Sequence, residues 1–562
     1  MGTLGVKEAT MSSLTDRHRD TLDRAVASTV SREYWSPYPE HPKAYAEGED
    51  EAGREAFQSR LGGDFTLDQP HDGFQAADET SPYGVELGIS YPSSTVGDLI
   101  EAASAAMPPW ASAGAEARAA VCVEILERLS AASFEMAAAV MQTTGQSFLM
   151  AFQAGGPHAL DRALEAVAYA YVEQTRLPAA MRWEKPQGKR DPLIVDKEWI
   201  IRPRGVAVAI GVSTFPTWNG YPGIFASLAT GNPVIVKPHP ATVLPLALMV
   251  EVARDVLAES GFDPNLVTLL TDTFAAPIAK ELVMRPEIAI VDYTGGSGFG
   301  EWLEQNVHHA EVYTEKAGVN SVVLDSAADL GGVFRNLSVS MTMYSGQMCT
   351  TPQNLYISRE GIDVGGEHVP FEEIARGFSE AVGGLLGDDG RAVEVLGAVK
   401  SSESLERVGI AAKSGRVLLE SRSIEHPMFP DAVVQTPVIV EVDGNERDAY
   451  MREMFGPVIF VVATDSTEQS LKLATESALA KGAITWLVYT TSDEVADDAV
   501  DATVAAGVSV AFNLTGGLFV NQSAAFSDFH VTGANPAGNA SLTDPAFVAN
   551  RFRVIGVRRE VS

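Results

Sequence analysis

From Gly205 onward, short wholly apolar runs alternate with longer helical stretches, and few folds accept that alternation. Val206-Ala207-Val208-Ala209-Ile210 is apolar on both faces, as a strand inside a parallel sheet must be. A helical stretch over 220–230 follows, then Pro233-Val234-Ile235-Val236-Lys237. A helix over 243–260 leads to Leu266-Val267-Thr268-Leu269-Leu270, and one over 275–285 leads to Ile288-Ala289-Ile290-Val291-Asp292-Tyr293. Repeated βαβ units place crossover helices on the faces of a parallel sheet, which predicts a doubly wound nucleotide-binding domain. A second alternating set has strand candidates at 321–324, 355–357, 438–440, 458–462, 484–488 and 508–511. It predicts a second α/β unit.

The flanks read differently. Helices are expected from Thr95 to about Gln174. Leu193 to Arg204 then reads as a projecting β-ribbon between Gly188 and Gly205, with apolar residues on both faces. Such a ribbon predicts cover by another subunit. The tail from Phe547 to Val557 ends as a further strand. Residues 1–80 look peripheral: a charged helix within Asp16–Tyr34, then a stretch rich in Pro, Gly and acid from Ser36 to His71. The expected organisation is an N-terminal extension over 1–80 and a cofactor domain over 81–318, interrupted by an oligomerisation hairpin over 186–204. A catalytic domain over 319–535 and a C-terminal oligomerisation strand over 536–562 complete it.

Bulk properties exclude several function classes. A chain of 562 residues exceeds one compact core. Its net charge of −33 would repel nucleic-acid phosphates and anionic membranes. No apolar run approaches the roughly 20 residues of a membrane helix. Two cysteines cannot build a disulfide framework, so a reducing, cytoplasmic setting is expected. The ten histidines are scattered, and adjacent His308-His309 would diverge on a helix, so no metal site is expected.

The two thiols have unlike surroundings. Cys122 lies in an apolar helical stretch and reads as core filling. Cys349 lies in Tyr344-Ser345-Gly346-Gln347-Met348-Cys349-Thr350-Thr351, a run that suits a thiol which a substrate must reach. Lys237-Pro238 ends a parallel strand, so Lys237 is either a nucleotide contact or a solvated strand end. Thr294-Gly295-Gly296-Ser297-Gly298-Phe299-Gly300 is a Gly-rich turn whose N–H groups can approach a phosphate. Glu315 is either a general base or an ion-pair partner of Lys316.

Taken in order, Lys237-Pro238, Thr294-Gly295-Gly296, Glu315, Gly346-Gln347-Met348-Cys349 and Glu453-Met454-Phe455-Gly456-Pro457 resemble the aldehyde dehydrogenase superfamily. The resemblance covers roughly residues 95–560. Glu315 and Cys349 lie 34 positions apart, as that family's general base and nucleophile do. It implies an α/β protein of two doubly wound domains, Rossmann-like cofactor and catalytic, with a β-ribbon for oligomerisation. It implies NAD(P)-dependent oxidation of a small-molecule aldehyde to a carboxylic acid in a homodimer or homotetramer. Cys349 would be the nucleophile and Glu315 the water-activating base, favouring hydrolysis over transfer to CoA. Ser213, Lys237, Gly295, Gly296, Glu453 and Phe455 would hold the cofactor. The chemistry agrees: an aldehyde yields hydride readily only after a thiolate adds, and a thioester remains. The thiol should then have a lowered pKa and alkylate fast near neutral pH.

Two departures stand out. The family's oxyanion Asn precedes a Phe-Pro pair, but Thr214 precedes Phe215-Pro216 here. The donor is Thr214, Asn219 or a backbone N–H such as that of Cys349. The family carboxylate that holds the adenosine ribose 2′-OH falls at Pro240, so NADP, or NAD and NADP together, is expected. The N-terminal segment, Ser213–Asn219 and Val520–His530 resemble family members from phenylacetic acid degradation. In fused relatives a hydratase domain opens a ring and the dehydrogenase oxidises the CoA-linked semialdehyde. Here only the dehydrogenase half is implied, with a separate hydratase supplying a CoA-ester substrate. The alternatives are a broad-specificity enzyme for other aromatic or aliphatic aldehydes, CoA-acylating reductive chemistry, or a non-catalytic family member. Trp218, Tyr221, Phe225, Tyr344 and Phe526 either line a substrate tunnel or fill the core.

Overall fold

A computed structural model describes residues 2–316, 318–521 and 525–561. Ala317 of the Glu315 motif, and Gln522, Ser523 and Ala524 of the Val520–His530 stretch, lie outside them. A five-stranded parallel sheet runs in the order Val267–Leu269, Val234–Lys237, Val206–Ile210, Ile288–Gly295, Glu311–Lys316. Val206–Ile210 is central and buried throughout, which is why its sequence shows no polar alternation. The chain winds outward from this strand through 234–237 to 267–269, then returns beside it at 288–295. That reversal is the topological switch point where such sheets bind ligands. The helix expected over 275–285 is shorter, Ala279–Val283. A bridge between Thr273 and Ala276 and the ring of Pro277 delay its start.

A seven-stranded sheet forms the second unit, in the order Arg416–Leu419, Val438–Asp443, Val458–Thr464, Pro352–Ser358, Asn320–Leu324, Thr485–Tyr489, Ser509–Phe512. Only its Arg416–Leu419 edge is antiparallel. Consecutive strands Glu311–Lys316 and Asn320–Leu324 belong to different sheets, so Glu315 stands at the join of the two units.

Ala180–Gln187, Arg190–Pro203 and Phe552–Glu560 form a separate antiparallel sheet. The ribbon therefore starts at Ala180, before the expected 186. The tail is a short helix, Pro545–Ala549, before its strand, because Pro545 at N1 and the Asp544 cap start a helix there. Met181, Leu193, Ile200, Val554 and Ile555 of this sheet are exposed.

The N-terminal extension is not peripheral. Helix Gly2–Ser31 lies on helices Ala115–Ala131 and Pro157–Thr175. Leu14, His18, Leu22 and Ala25 form its buried stripe at helical spacing. His18 Nε2 is 2.7 Å from Glu124 Oε2, and Arg32 donates to Glu165 at 2.8 Å. The charges that suggested a free helix are paired to the helical layer beneath. Among the described residues, no helix is long and apolar enough to cross a membrane.

Candidate active site

Cys349 follows a left-handed turn. Tyr344, Ser345 and Gly346 have φ of 51°, 51° and 68°. Left-handed backbone costs a residue with a side chain about 1–2 kcal/mol, so the surroundings must hold it. Tyr344 is fully buried and its hydroxyl donates to the Thr144 carbonyl. Ser345 Oγ donates to the Leu396 carbonyl at 3.1 Å. Gln347 Nε2 donates to the Tyr344 and Ala398 carbonyls, both at 3.2 Å. Asn320 Nδ2 donates to the Cys349 carbonyl at 2.7 Å. A Cβ on Gly346 would lie 2.3 Å from the Gly456 carbonyl. Gly346→Ala is therefore expected to destabilise the chain by more than about 2 kcal/mol. Urea unfolding measures it, and an unchanged midpoint would refute this account of the turn.

Glu315 is 1% exposed. Asn219 Nδ2 donates to its Oε2 at 2.7 Å, and His530 Nε2 lies 2.8 Å from its Oε1. Burial pushes this carboxyl up. The charge of His530 and bonds from His530, Cys349 and Asn219 outweigh it, so the carboxyl lies below its ordinary range. Lys316 pairs with Glu304 at 2.9 Å, which removes the ion-pair alternative for Glu315. Cys349 Sγ lies 3.7 Å from His530 Nε2. The expected lowered thiol pKa is overturned. Burial pushes the thiol well up, and the charge of Glu315 and the bond to it push further. Cys122 is buried in the helical core, as expected.

Sequence reasoning missed His530 as a site residue. It closed a stretch quoted for its resemblance, and a lone His in a loop carries no spacing signal. Asn219 was weighed as an oxyanion donor; one N–H of its amide goes to Glu315 and the second is left over. Thr214 is half-buried, and its carbonyl accepts from Gln146 Nε2 at 2.8 Å.

Cys349 opens onto a cavity of about 520 Å³. Phe215, Trp218, Met150, Met348, Trp486 and Phe529 make much of its wall. Of the five aromatics considered, Trp218 lines this cavity; Tyr221, Phe225, Tyr344 and Phe526 are core residues.

Ser213, Lys237, Gly295 and Gly296 lie at or just beyond C-terminal strand ends of the five-stranded sheet, and Glu453 and Phe455 lie in the loop before strand Val458–Thr464. Lys237 is buried, with Nζ 2.6 Å from Asp272 Oδ1, so it is no solvated strand end. Burial pulls its pKa down while Asp272 holds it up. Helix Ser297–Asn306 starts after Gly296 with no side-chain cap and no acid in its first turn. A Cβ on Gly296 or Gly298 would meet nothing within 4 Å. Uncapped N–H groups facing open space at a switch point fit the pyrophosphate of a dinucleotide. Gly295 is needed for packing, since a Cβ there would meet the Tyr293 hydroxyl at 2.4 Å. The Ser213 carbonyl accepts from Thr242 Oγ1 at 3.1 Å. The Phe455 carbonyl accepts from Arg407 Nη1 at 2.8 Å. Burial pushes the Glu453 carboxyl up to about 7, against the pull of Arg407.

Comparison with known proteins agrees with this arrangement. The crystal structure of an NAD-dependent aldehyde dehydrogenase from Burkholderia multivorans is 54% identical, with a TM-score of 0.96 over 98% of this chain and 99% of that one. Fluoroacetaldehyde dehydrogenase of Streptantibioticus cattleyicolor is 25% identical over 458 residues, 77% of this chain and 83% of that protein. A Thermus 1-pyrroline-5-carboxylate dehydrogenase with bound NAD shares the fold: TM-score 0.72 at 18% identity, over 94% of this chain and 99% of that one. Residues 80–522 match the aldehyde dehydrogenase family, and with the two sheets in place the chain belongs to that family.

Proposed function

We propose that the chain oxidises an apolar aldehyde to its carboxylic acid through a thioester on Cys349. One observation carries this reading: the Cys349 thiol faces a largely apolar cavity and its Sγ lies within 4.8 Å of the buried Glu315 carboxylate. The thiolate attacks the carbonyl carbon and forms a tetrahedral adduct that can give up hydride. A bound nicotinamide cofactor supplies the hydride acceptor. The Cys349 N–H and the Thr214 hydroxyl are the proposed oxyanion donors. Glu315 then takes a proton from water, which hydrolyses the thioester. Lys237, Ser213, Gly295 and Gly296 are proposed to hold the adenosine and pyrophosphate half, and Glu453 and Phe455 the nicotinamide half.

The cavity wall supports a free aldehyde. Its acidic residues are Glu40, Glu394 and Asp528, its basic ones Arg162, His158 and His530, and Arg162 is tied to Glu165 at 3.0 Å. The one arginine there is already ion-paired, so the wall offers CoA phosphates no free guanidinium. A second reading, a CoA-linked semialdehyde of phenylacetate degradation supplied by a separate hydratase, is favoured by one fact. Val520, Asn521 and Ser527 to His530, from the stretch that carries that resemblance, line the same cavity. The exposed apolar ribbon supports a homodimer or homotetramer.

The NAD dependence of the Burkholderia multivorans relative supports NAD. Pro240 offers no carboxylate to repel a 2′-phosphate, so NADP turnover within about tenfold of NAD is expected. The test supplies phenylacetaldehyde and aliphatic aldehydes with each cofactor and identifies the product. Free acid supports the reading. A product that is solely a CoA thioester, formed only with CoA present, would overturn it. Turnover with NAD alone would overturn the inference from Pro240.

A further inference from the structure

We propose that His530 is a catalytic residue of this chain, its Nε2 placed between the Cys349 sulfur and the Glu315 carboxylate as the cation that lets both be anionic. The proposal rests on the thioester reading above. Ligand-type atoms of the three side chains lie within 4.8 Å of one another. Nε2 is 2.8 Å from Glu315 Oε1 and 3.7 Å from Cys349 Sγ. The ring is held in place. It meets the Trp218 ring edge-on, with centroids 4.5 Å apart and planes at 84°. The His530 carbonyl accepts from the Leu542 N–H at 2.9 Å. The side chain is 9% exposed, so water screens its charge weakly.

The need for a cation follows from the reaction. The mechanism asks for a thiolate and a carboxylate side by side in a buried place, where like charges repel. Glu453 adds a further anionic influence on Cys349. Arg162 lies across the Trp218 ring, at 5.4 Å from its centroid, but is committed to Glu165. The nearby Asp528 accepts from Arg162 through its carbonyl. His530 is thus the basic side chain that touches both reacting groups.

The proton inventory closes. The thiol releases its proton to cavity water, leaving thiolate, carboxylate and imidazolium. The summed charge of the three groups falls by one, to a single net negative charge. The Sγ–C bond forms as the C=O π pair moves onto oxygen. The imidazolium N–H holds Oε1 of the carboxylate throughout, and that carboxylate later takes the proton of the attacking water.

The experiment is alkylation of the full chain by iodoacetamide, without cofactor or substrate, read at Cys349 by mass spectrometry across pH. His530→Gln keeps an N–H donor of similar reach and removes the charge. Its alkylation midpoint is expected to rise by about one unit, slowing the reaction at neutral pH about tenfold. Glu315→Gln should move the midpoint the other way. A His530→Gln profile that overlays the wild-type curve would overturn the proposal and leave His530 as packing for Trp218. Should H530Q fail to fold, His530→Asn gives the same comparison with the same two outcomes. Failure of the thioester reading shows separately, as wild-type protein that reduces neither cofactor with any aldehyde.

Discussion

Cys349→Ala is expected to lower cofactor reduction by at least about 10³-fold, because among the described residues no other thiol lines the cavity. Among the described residues the other thiol, Cys122, is fully buried in the helical layer. Burial also keeps that thiol protonated. The fold should survive the change. Cys349 is only partly buried, and its turn is held by Tyr344, Gln347 and the bond from Asn320 to the backbone carbonyl. Cofactor reduction by absorbance, beside a thermal melt, checks both halves. A variant that melts like wild type yet still oxidises aldehydes would remove Cys349 from the mechanism. A variant that unfolds would say nothing against it, and Cys349→Ser then serves, since a hydroxyl is a far weaker nucleophile at neutral pH.

Glu315→Gln is expected to separate the two half-reactions. Acylation should still occur, giving a burst of about one reduced cofactor per chain. Turnover after the burst should be slower by roughly 10²–10⁴-fold, the usual worth of a general base. Gln keeps the size of the side chain and one acceptor, for Asn219 or for His530, and turns its NH2 toward the other. It loses the negative charge that holds the thiol up. The burst itself should therefore run faster at neutral pH than in wild type. Rapid-mixing kinetics reads burst and steady state in one trace. Steady turnover at the wild-type rate would show that another group activates water. A burst followed by resumption on adding CoA would favour the CoA-acylating alternative.

Much of this site was legible before any coordinate. Strand Val206–Ile210 announces itself because a strand covered on both faces needs no polar residue, and that requirement is local. Cys349 stands out because small and hydroxylated neighbours make a poor core. Lys237, the Gly295-Gly296 turn and Glu315 each end a strand where the winding of the sheet places ligands. The misses are of another kind. Leu14, His18, Leu22 and Ala25 form a legible stripe, yet frequent charges around it suggested a free helix. Only the partners Glu124 and Glu165 show those charges to be neutralised. The thiol was expected to have a lowered pKa, but burial and then Glu315 across the domain join push it up.

The sequence alone thus determined the two α/β units, their strand order along the chain, and which thiol and which carboxylate are the candidates for nucleophile and base. Each depends on short-range pattern: apolar runs, glycine turns and motif spacing. Tertiary structure alone decided what surrounds them. His530 reaches Glu315 across 215 positions and Cys349 across 181, and Asn219 reaches Glu315 across 96. Separations of that size leave no periodic trace, because they are set by how two sheets and a returning tail pack together. The charge state of a buried group follows from those neighbours and from lost water, and neither is a property of the residues beside it in the chain.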